Sequence, residues 1–91
     1  MLKITVTHDH HGTTFALAGR LAGAWVQELR QCWLQAKAGG AAPLRLDLKE
    51  TTFVDAEGKT LLSEMHRQGV AFEVHGCMMR ALVESMERHN R

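Results

Sequence analysis

Apolar and polar residues alternate one by one over four short segments of the chain. Their apolar members are Leu2, Ile4 and Val6, then Phe15 and Leu17, then Leu44, Leu46 and Leu48, and finally Val70, Phe72 and Val74. A period of two is typical of a half-buried strand, so the pattern predicts four strands. Phe53 and Val54 make a second short apolar step behind the third strand. Residues 8–12 suit the loop of a hairpin between the first two strands.

Apolar residues recur with helical spacing in three other segments. The first predicted helix runs from about Ala22 to Ala38 and ends at two glycines, the second runs from about Ala56 to Gln68, and the third begins at Gly76. Their inward faces are predicted to carry Trp25, Leu29, Cys32, Trp33 and Ala36 in the first helix, Leu61, Leu62 and Met65 in the second, and Met78, Met79, Leu82, Val83 and Met86 in the third. Such stripes are typical of helices that pack one side against a core.

The predicted order of elements, β-β-α-β-α-β-α, constrains the topology. Two right-handed crossovers that advance in the same direction place both helices on the same face of the sheet. We therefore expect an α/β fold with a four-stranded mixed sheet in the order 1-2-3-4, strand 1 antiparallel, and helices on one face. Arg45, Asp47, Glu73 and His75 occupy alternate strand positions, which predicts an open second face where the first three are exposed or paired with one another. The residues expected to be buried include Leu46, Phe72 and Leu82.

Length and composition narrow the class of protein. The 91 residues suffice for one domain, 1–91, with a modest core, and 45% hydrophobic with 23% charged residues is ordinary for a globular fold. A net charge of +1 with intermingled signs lacks the electrostatic footprint of a nucleic-acid binder. No apolar run approaches the roughly 20 residues that cross a membrane, and the N-terminus lacks the apolar stretch of a secretion signal. We therefore expect a cytoplasmic protein that inserts into no membrane, with Cys32 and Cys77 as free thiols.

The junction at Asp55 is predicted to be a strand-to-helix turn with this acidic residue immediately before the helix. Asp55 has the side chain of an N-cap, which accepts a hydrogen bond from a backbone N–H two or three residues later. Glu57 falls in the first helical turn, where a carboxylate interacts favourably with the positive end of the helix dipole. A turn of this kind exposes backbone donors at a surface.

The same segment resembles a motif of a known family. Residues 54–58, which read VDAEG, and the preceding residues 46–48, which read LDL, resemble the strand, loop and Asp-Ser-Ser/Thr-Gly motif of STAS domains. This family comprises bacterial anti-sigma-factor antagonists and the tails of sulfate transporters, and the likeness covers most of the chain. The resemblance implies a SpoIIAA-like fold and a non-enzymatic protein-binding module in bacterial partner switching, a part of transcription regulation.

In the antagonists of that family, the serine after the motif aspartate is phosphorylated by a partner kinase, and the phosphate decides which partner is bound. The resemblance places Ala56 at this position, so the switch has no hydroxyl to act on, while Glu57 puts a permanent charge beside it. The partner-docking turn implied by the resemblance comprises Asp55, Ala56, Glu57, Gly58 and Lys59. The neighbouring hydroxyls, none of them at the motif position and all expected to be solvated, are Thr51, Thr52, Thr60 and Ser63.

Two other functions stay open. One is an accessory subunit that docks on a transporter ATPase, as some stand-alone STAS proteins do, and the other is a sensor of a small ligand or metal. His8, Asp9, His10 and His11 form a ligand-rich cluster, and imidazole with carboxylate suits Zn, Ni or Cu. Because only His8 and His10 share a face if the strand continues, we predict a structural loop and no resident metal or cofactor.

Catalysis finds little support in the sequence. There is no Gly-rich phosphate loop after a strand, no nucleophile elbow and no recognisable Ser/His/Asp or Cys/His set. An enzyme would have to be assembled from Asp47, Asp55, Glu57 and scattered histidines, so we predict that the protein is not an enzyme. Trp25 and Trp33 belong to the core by default, although two tryptophans on one helix can leave one of them for a homodimer interface.

Overall fold

The computed structural model describes residues 1–10, 12–40, 43–74 and 84. Its elements are β1 (Leu2–Asp9), β2 (Gly12–Leu21), α1 (Ala24–Ala38), β3 (Leu44–Val54), α2 (Ala56–Arg67) and β4 (Ala71–Glu73). The third predicted helix, with Cys77 at its start and its inward residues Met78, Met79, Leu82, Val83 and Met86, lies outside the described residues, as do His11 and His75.

The described strands form one mixed sheet in the order β1-β2-β3-β4. β1 is antiparallel to β2, whereas β2 and β3, and β3 and β4, are parallel, which confirms the predicted topology. The two helices touch each other directly: the Arg30 guanidinium lies 3.0 Å from a Glu64 carboxylate oxygen, and Lys37 donates to the Gln68 side-chain oxygen at 3.3 Å. Helices in contact must share a side of the sheet, so α1 and α2 cover the same face.

The core lies between the two helices and the face of the sheet that they cover. Its fully buried large side chains are Phe15, Leu17 and Leu21 of β2, Val26, Leu29 and Trp33 of α1, Leu46 and Leu48 of β3, and Leu61, Leu62 and Met65 of α2. Most of them are apolar members of the predicted strand and helix patterns, in which every second strand residue and every third or fourth helix residue faces the core. Leu21 and Val26 are exceptions, because neither was predicted to face inward. The predicted apolar stripe of α2 is therefore confirmed.

β3 is one continuous strand, where the sequence predicts a short strand and a separate apolar step. Its register against β2 shifts twice. The first shift lies between the pairs Ala16–Asp47 and Ala18–Glu50, and the second lies between Gly19–Thr51 and Arg20–Phe53. Each extra residue on β3 reverses the alternation, so the inward positions change from Leu48 to Thr51 and then to Val54. Phe53 is turned outward by the second shift and is 41% exposed.

The open face carries the predicted polar side chains. Arg45 and Glu73 are exposed and paired with each other at 3.2 Å, as expected. Asp47 pairs instead with its own strand, because it accepts from the backbone N–H of Lys49 at 2.9 Å and lies 3.4 Å from the Lys49 ammonium. Phe72 was predicted to be buried and is only half-buried, since it sits on β4 at the edge of the described sheet with its ring edge-on to His66.

The bounds of α1, β1 and β4 differ from the predicted ones. α1 begins at Ala24 instead of Ala22, because Gly23 is its N-cap with a φ of 59°. β4 begins at Ala71, because the N–H of Val70 bonds to the carbonyl of Met65 and so completes the end of α2. β1 continues to Asp9, which pairs with Gly12, so the strands leave only residues 10 and 11 for the predicted five-residue hairpin loop.

The two tryptophans of α1 have different environments. Trp33 is buried in the core, as predicted, whereas Trp25 is 38% exposed, so its assignment to the core is wrong. At 3.6 residues per turn, Trp25 lies roughly 70° from the centre of the stripe formed by Val26, Leu29 and Trp33. The helix therefore directs its first aromatic side chain toward solvent.

Among the described residues, neither helix has the length and apolar character that crossing a membrane requires.

Truncation of Leu46 tests the sheet-helix core. Leu46→Ala should lower the free energy of unfolding by roughly 2–5 kcal/mol, because it removes a fully buried side chain from the central strand and leaves a cavity. Arg45→Ala, the adjacent change on the open face, should cost about 0–1 kcal/mol, the range for an exposed ion pair. Urea denaturation of the two variants measures the difference, and equal losses would contradict a single covered face.

Candidate docking site

Asp55 connects the two strand-to-helix turns at one end of the sheet. One carboxylate oxygen accepts the N–H of Gly58 in the first turn of α2 at 2.7 Å, which confirms the predicted N-cap. The other oxygen accepts the N–H of Gly23, the N-cap residue of α1, at 3.0 Å. The backbone N–H of Asp55 donates to the carbonyl of Leu21 at 3.1 Å. One residue therefore holds the starts of both helices and the end of β2 in a fixed relation.

These hydrogen bonds also set the charge state of Asp55. The backbone N–H of Gly23, and after it that of Gly58, hold the pKa of the Asp55 carboxyl below its ordinary value, against a smaller opposing effect of desolvation. The two N–H groups interact more strongly with the ionised carboxylate than with the protonated carboxyl group, so the network favours the ionised form. At neutral pH the turn carries a negative charge whose hydrogen bonds are directed into the protein.

Two glycines make this junction possible for different reasons. Gly23 has a positive φ, which a residue with a side chain adopts only at a cost, and this conformation accompanies the N–H bond to Asp55. Gly58 is buried within α2, where an added Cβ would lie 2.8 Å from Cγ1 of Val54 and 3.0 Å from the carbonyl oxygen of Leu21. The glycine of the predicted docking turn is therefore required by the close approach of β2 to the helix.

The structure divides the docking turn into an inner and an outer part. Asp55 is half-buried and Gly58 is buried, so both act within the network. Ala56, Glu57 and Lys59 are exposed. The outer part thus presents a methyl group, a carboxylate and an ammonium around the first turn of α2.

The four candidate hydroxyls do not share one environment. Thr51 was expected to be solvated and is buried, and its hydroxyl donates to the carbonyl of Leu17 at 3.3 Å. Thr52 and Thr60 are exposed and bond to the carbonyls of Gly19 and Ala56, respectively. Ser63 is half-buried. The buried environment of Thr51 follows from the register shift in β3, which no single-residue property of the sequence indicates.

Aromatic side chains flank the turn, a feature that the sequence reasoning missed. Phe53, two residues before Asp55, carries the Arg20 guanidinium 4.4 Å from the centre of its ring. Trp25, two residues after Gly23, is exposed on the first turn of α1. A signal for Phe53 exists in the sequence, because adjacent apolar residues on a strand point to opposite faces and one of Phe53 and Val54 had to lie outside the core.

The histidine cluster shows no assembled metal site within the described part of the chain, which leaves out His11. His8 lies on β1 and its Nδ1 is 3.0 Å from the Thr13 hydroxyl, while His10 is exposed in the turn that follows. The hydrogen bond of His8 ties the hairpin together. His8 and Asp9 therefore belong to β1 and not to the predicted loop.

A cleft of about 270 Å³ lies at the opposite end of the sheet from Asp55. Its lining includes Leu44 at the start of β3, Trp33 and Lys37 of α1, and Gln68 after α2. Lys37 lies 4.9 Å from the centre of the Trp33 ring and donates to Gln68. Among the described residues, the lining of this cleft contains no carboxylate, thiol or imidazole.

Comparison with known proteins identifies the fold. No family model matches the chain, and no curated protein matches it. Among solved structures, it is similar to an uncharacterized protein of the DUF3478 family from Shewanella loihica, which has a SpoIIAA-like fold. The TM-score is 0.57 at 13% sequence identity, and the match covers 86% of this chain and 70% of the other. The chain therefore has the SpoIIAA-like fold, which is the STAS-like fold that the VDAEG segment led us to expect.

Gly58→Ala tests the close packing behind the turn. In an ordinary helix interior this change is favourable by roughly 0.5–1 kcal/mol, because alanine loses less backbone entropy. Here it should lower the melting temperature, since the methyl group meets the Leu21 carbonyl. Lys59→Ala, one residue later and exposed, is the matched control and should leave the melting temperature nearly unchanged. A stabilised Gly58→Ala variant would contradict the close approach of Leu21 and Val54 to this glycine.

The Asp55 network should also make stability depend on pH. Because the folded-state pKa is below the unfolded value of about 3.9, the contribution is complete above that value and is lost as pH falls through the folded-state pKa. Asp55→Asn, which lacks the second carboxylate acceptor, should unfold several degrees below wild type at neutral pH. The gap should close as the pH is lowered from about 5 to about 2. Thermal melts of both proteins across this pH range measure the difference in melting temperature. A difference that became larger in acid would contradict the Asp55 network.

Proposed function

We propose that this chain is a non-enzymatic protein-binding module of bacterial partner switching, and that it binds an anti-sigma-type kinase in the cytoplasm through its docking turn. The observation that carries the proposal is the double attachment of Asp55 to Gly23 and Gly58, which gives the exposed start of α2 a fixed shape. A surface already held in its bound shape loses little conformational entropy on binding. The SpoIIAA-like fold supports the proposal at the level of architecture.

The chemistry of the turn favours binding over catalysis. Both oxygens of Asp55 accept hydrogen bonds from the backbone, and its pKa is lowered. A general base at neutral pH works best with a pKa raised toward 7 and with a free oxygen facing the substrate. Asp55 has neither property, so we assign it to the structure of the turn and assign recognition to Ala56, Glu57 and Lys59.

The exposed side chains next to the turn extend the proposed contact area. Arg20, which stacks on Phe53, and Trp25 belong to the residue types that most often dominate protein-protein binding energy. Glu57 places an exposed carboxylate beside Ala56 that no kinase adds or removes, unlike the phosphate of a phosphoserine. The proposed module therefore binds its partner in one fixed state.

Two matched substitutions test whether partners bind at this turn. Tagged wild type, Ala56→Gln and Ala38→Gln are expressed in the source bacterium, cross-linked, and their captured proteins quantified by mass spectrometry. Both alanines are exposed, but Ala38 ends α1 at the other end of the domain. We expect Ala56→Gln to lower recovery of the partner about tenfold or more, the effect of a central interface residue, and Ala38→Gln to leave recovery unchanged.

The identity of the lost protein decides between the functions. A serine kinase or sigma-factor regulator that depends on Ala56 supports partner switching. A transporter ATPase that depends on Ala56 supports the accessory-subunit alternative and overturns the kinase assignment. Captured proteins that are retained equally by both variants would show that the docking turn is not the binding surface.

Phosphate transfer tests the absence of a switch. With the captured serine kinase and ATP, Ala56→Ser should incorporate phosphate and wild type should not, because the restored hydroxyl lies at an exposed helix N-terminus with backbone donors nearby. Glu57→Ser is the control for the fixed charge and should weaken binding without restoring transfer to residue 56. Phosphate found in wild type on Thr52 or Thr60, the exposed hydroxyls, would contradict a switchless module.

A further inference from the structure

The first strand is a long edge of the sheet. β1 covers Leu2–Asp9 and, among the described residues, pairs only with β2. An edge of eight residues presents a row of backbone N–H and C=O groups that can accept another strand. The opposite edge of the described sheet, β4, has only three residues. β1 is therefore the longer of the two possible sites for strand addition.

The direction of the backbone groups follows from the register. The N–H of Arg20 donates to the carbonyl of Met1, and the register continues as Leu2 opposite Gly19 and Lys3 opposite Ala18. Hydrogen-bonded and non-hydrogen-bonded pairs alternate in an antiparallel ladder, so the odd residues of β1 bond to β2. The residues whose backbone groups point away from β2 are Leu2, Ile4, Val6 and His8.

These four residues are self-complementary. When β1 lies antiparallel to a second β1 with Thr5 opposite Thr5, Leu2 faces His8 and Ile4 faces Val6, each pair occurring twice. Each of these four residues then belongs to a hydrogen-bonded pair. The four pairs of the dimer exchange two backbone hydrogen bonds each, which gives eight. A shift by two residues in either direction leaves one of the four without a partner among them and so reduces the number of bonds.

Side chains favour the same register. Val6 is 44% exposed on the helical side of the sheet, where its pairing partner Phe15 is fully buried. Ile4 is half-buried on that side, so Ile4 of a second copy would cover Val6, and the reverse. On the open face Lys3 would lie opposite Thr7 and not opposite another lysine, which avoids the repulsion that protects many edges.

We propose that two copies of this chain form a two-fold dimer through β1, with Thr5 at the axis, and that their sheets join into one eight-stranded sheet. Directly paired residues point to the same face of a sheet, so the helices of both copies lie on the same side and the axis is perpendicular to the sheet. The two Asp55 turns then point in opposite directions. The dimer leaves the proposed docking site accessible, and it goes beyond the proposed function because it uses none of its residues.

Cysteine cross-linking tests the register. In a background with Cys32 and Cys77 replaced by alanine, Thr5→Cys and Thr7→Cys are compared, since both are exposed on the same side of β1. Two Thr5 positions in a non-hydrogen-bonded pair lie about 4.5 Å apart between Cα atoms, within the range of a disulfide. The two Thr7 residues are offset by four residues along the strands, so their Cα atoms are at least roughly 13 Å apart. Mild oxidation should cross-link only Thr5→Cys, and equal or absent cross-linking of both would overturn the proposal.

Light scattering after size exclusion tests the hydrogen bonds themselves. Wild type should be a dimer that dissociates on dilution. Val6→Pro removes an N–H that points away from β2 and should give a monomer with an unchanged circular dichroism spectrum. Val6→Ala keeps this N–H and should still dimerise. A Val6→Pro dimer, or wild type that is monomeric at every concentration, would overturn the proposal, and the cross-linking result stands independently if Val6→Pro does not fold.

Discussion

The carboxylate of Asp55 is the constraint on which the arrangement of this domain depends. It accepts hydrogen bonds from the N–H groups of Gly23 and Gly58, and the backbone N–H of Asp55 donates to the carbonyl of Leu21. The bonds to Gly23 and Leu21 join two βα turns that are distant in sequence, and the bond to Gly58 caps α2 within its own turn. Because each helix start has unpaired backbone donors, a single acceptor group shared between them satisfies donors of both.

This junction has a consequence for recognition. Asp55 matches the aspartate of the STAS motif, and both of its carboxylate oxygens accept hydrogen bonds from within the domain. Asp55 therefore fixes the shape of the turn but presents no unbonded carboxylate at the surface. The turn residues left outside are Ala56, Glu57 and Lys59. Phe53, two residues before Asp55, and Trp25, two residues after Gly23, are exposed as well. Of these residue types, the aromatic ones are enriched at protein-protein interfaces, whereas Lys and Glu are typical of the polar rim. In the function that we propose, the specificity of binding rests on those outer side chains.

Much of the fold could be predicted from the sequence, because binary patterning and chain connectivity act locally. The alternation around Leu46 and the helical stripe of Leu61, Leu62 and Met65 each determine which face is buried, and the handedness of the crossovers then determines the strand order. The predictions failed where an element ends or bends. Gly23 shortens α1, and the register shifts of β3 depend on how that strand meets β2 over its whole length.

For the candidate site, the sequence by itself determined the N-cap at Asp55 and the missing hydroxyl at Ala56, since both follow from residue type at a helix start. Only the tertiary structure decided that Asp55 also holds Gly23, 32 residues away, that Thr51 is buried, and that Phe53 faces outward under Arg20. The physical reason is the same in each case. A hydrogen bond across distant turns and a shift in strand register are properties of two segments in contact, and neither segment encodes them alone.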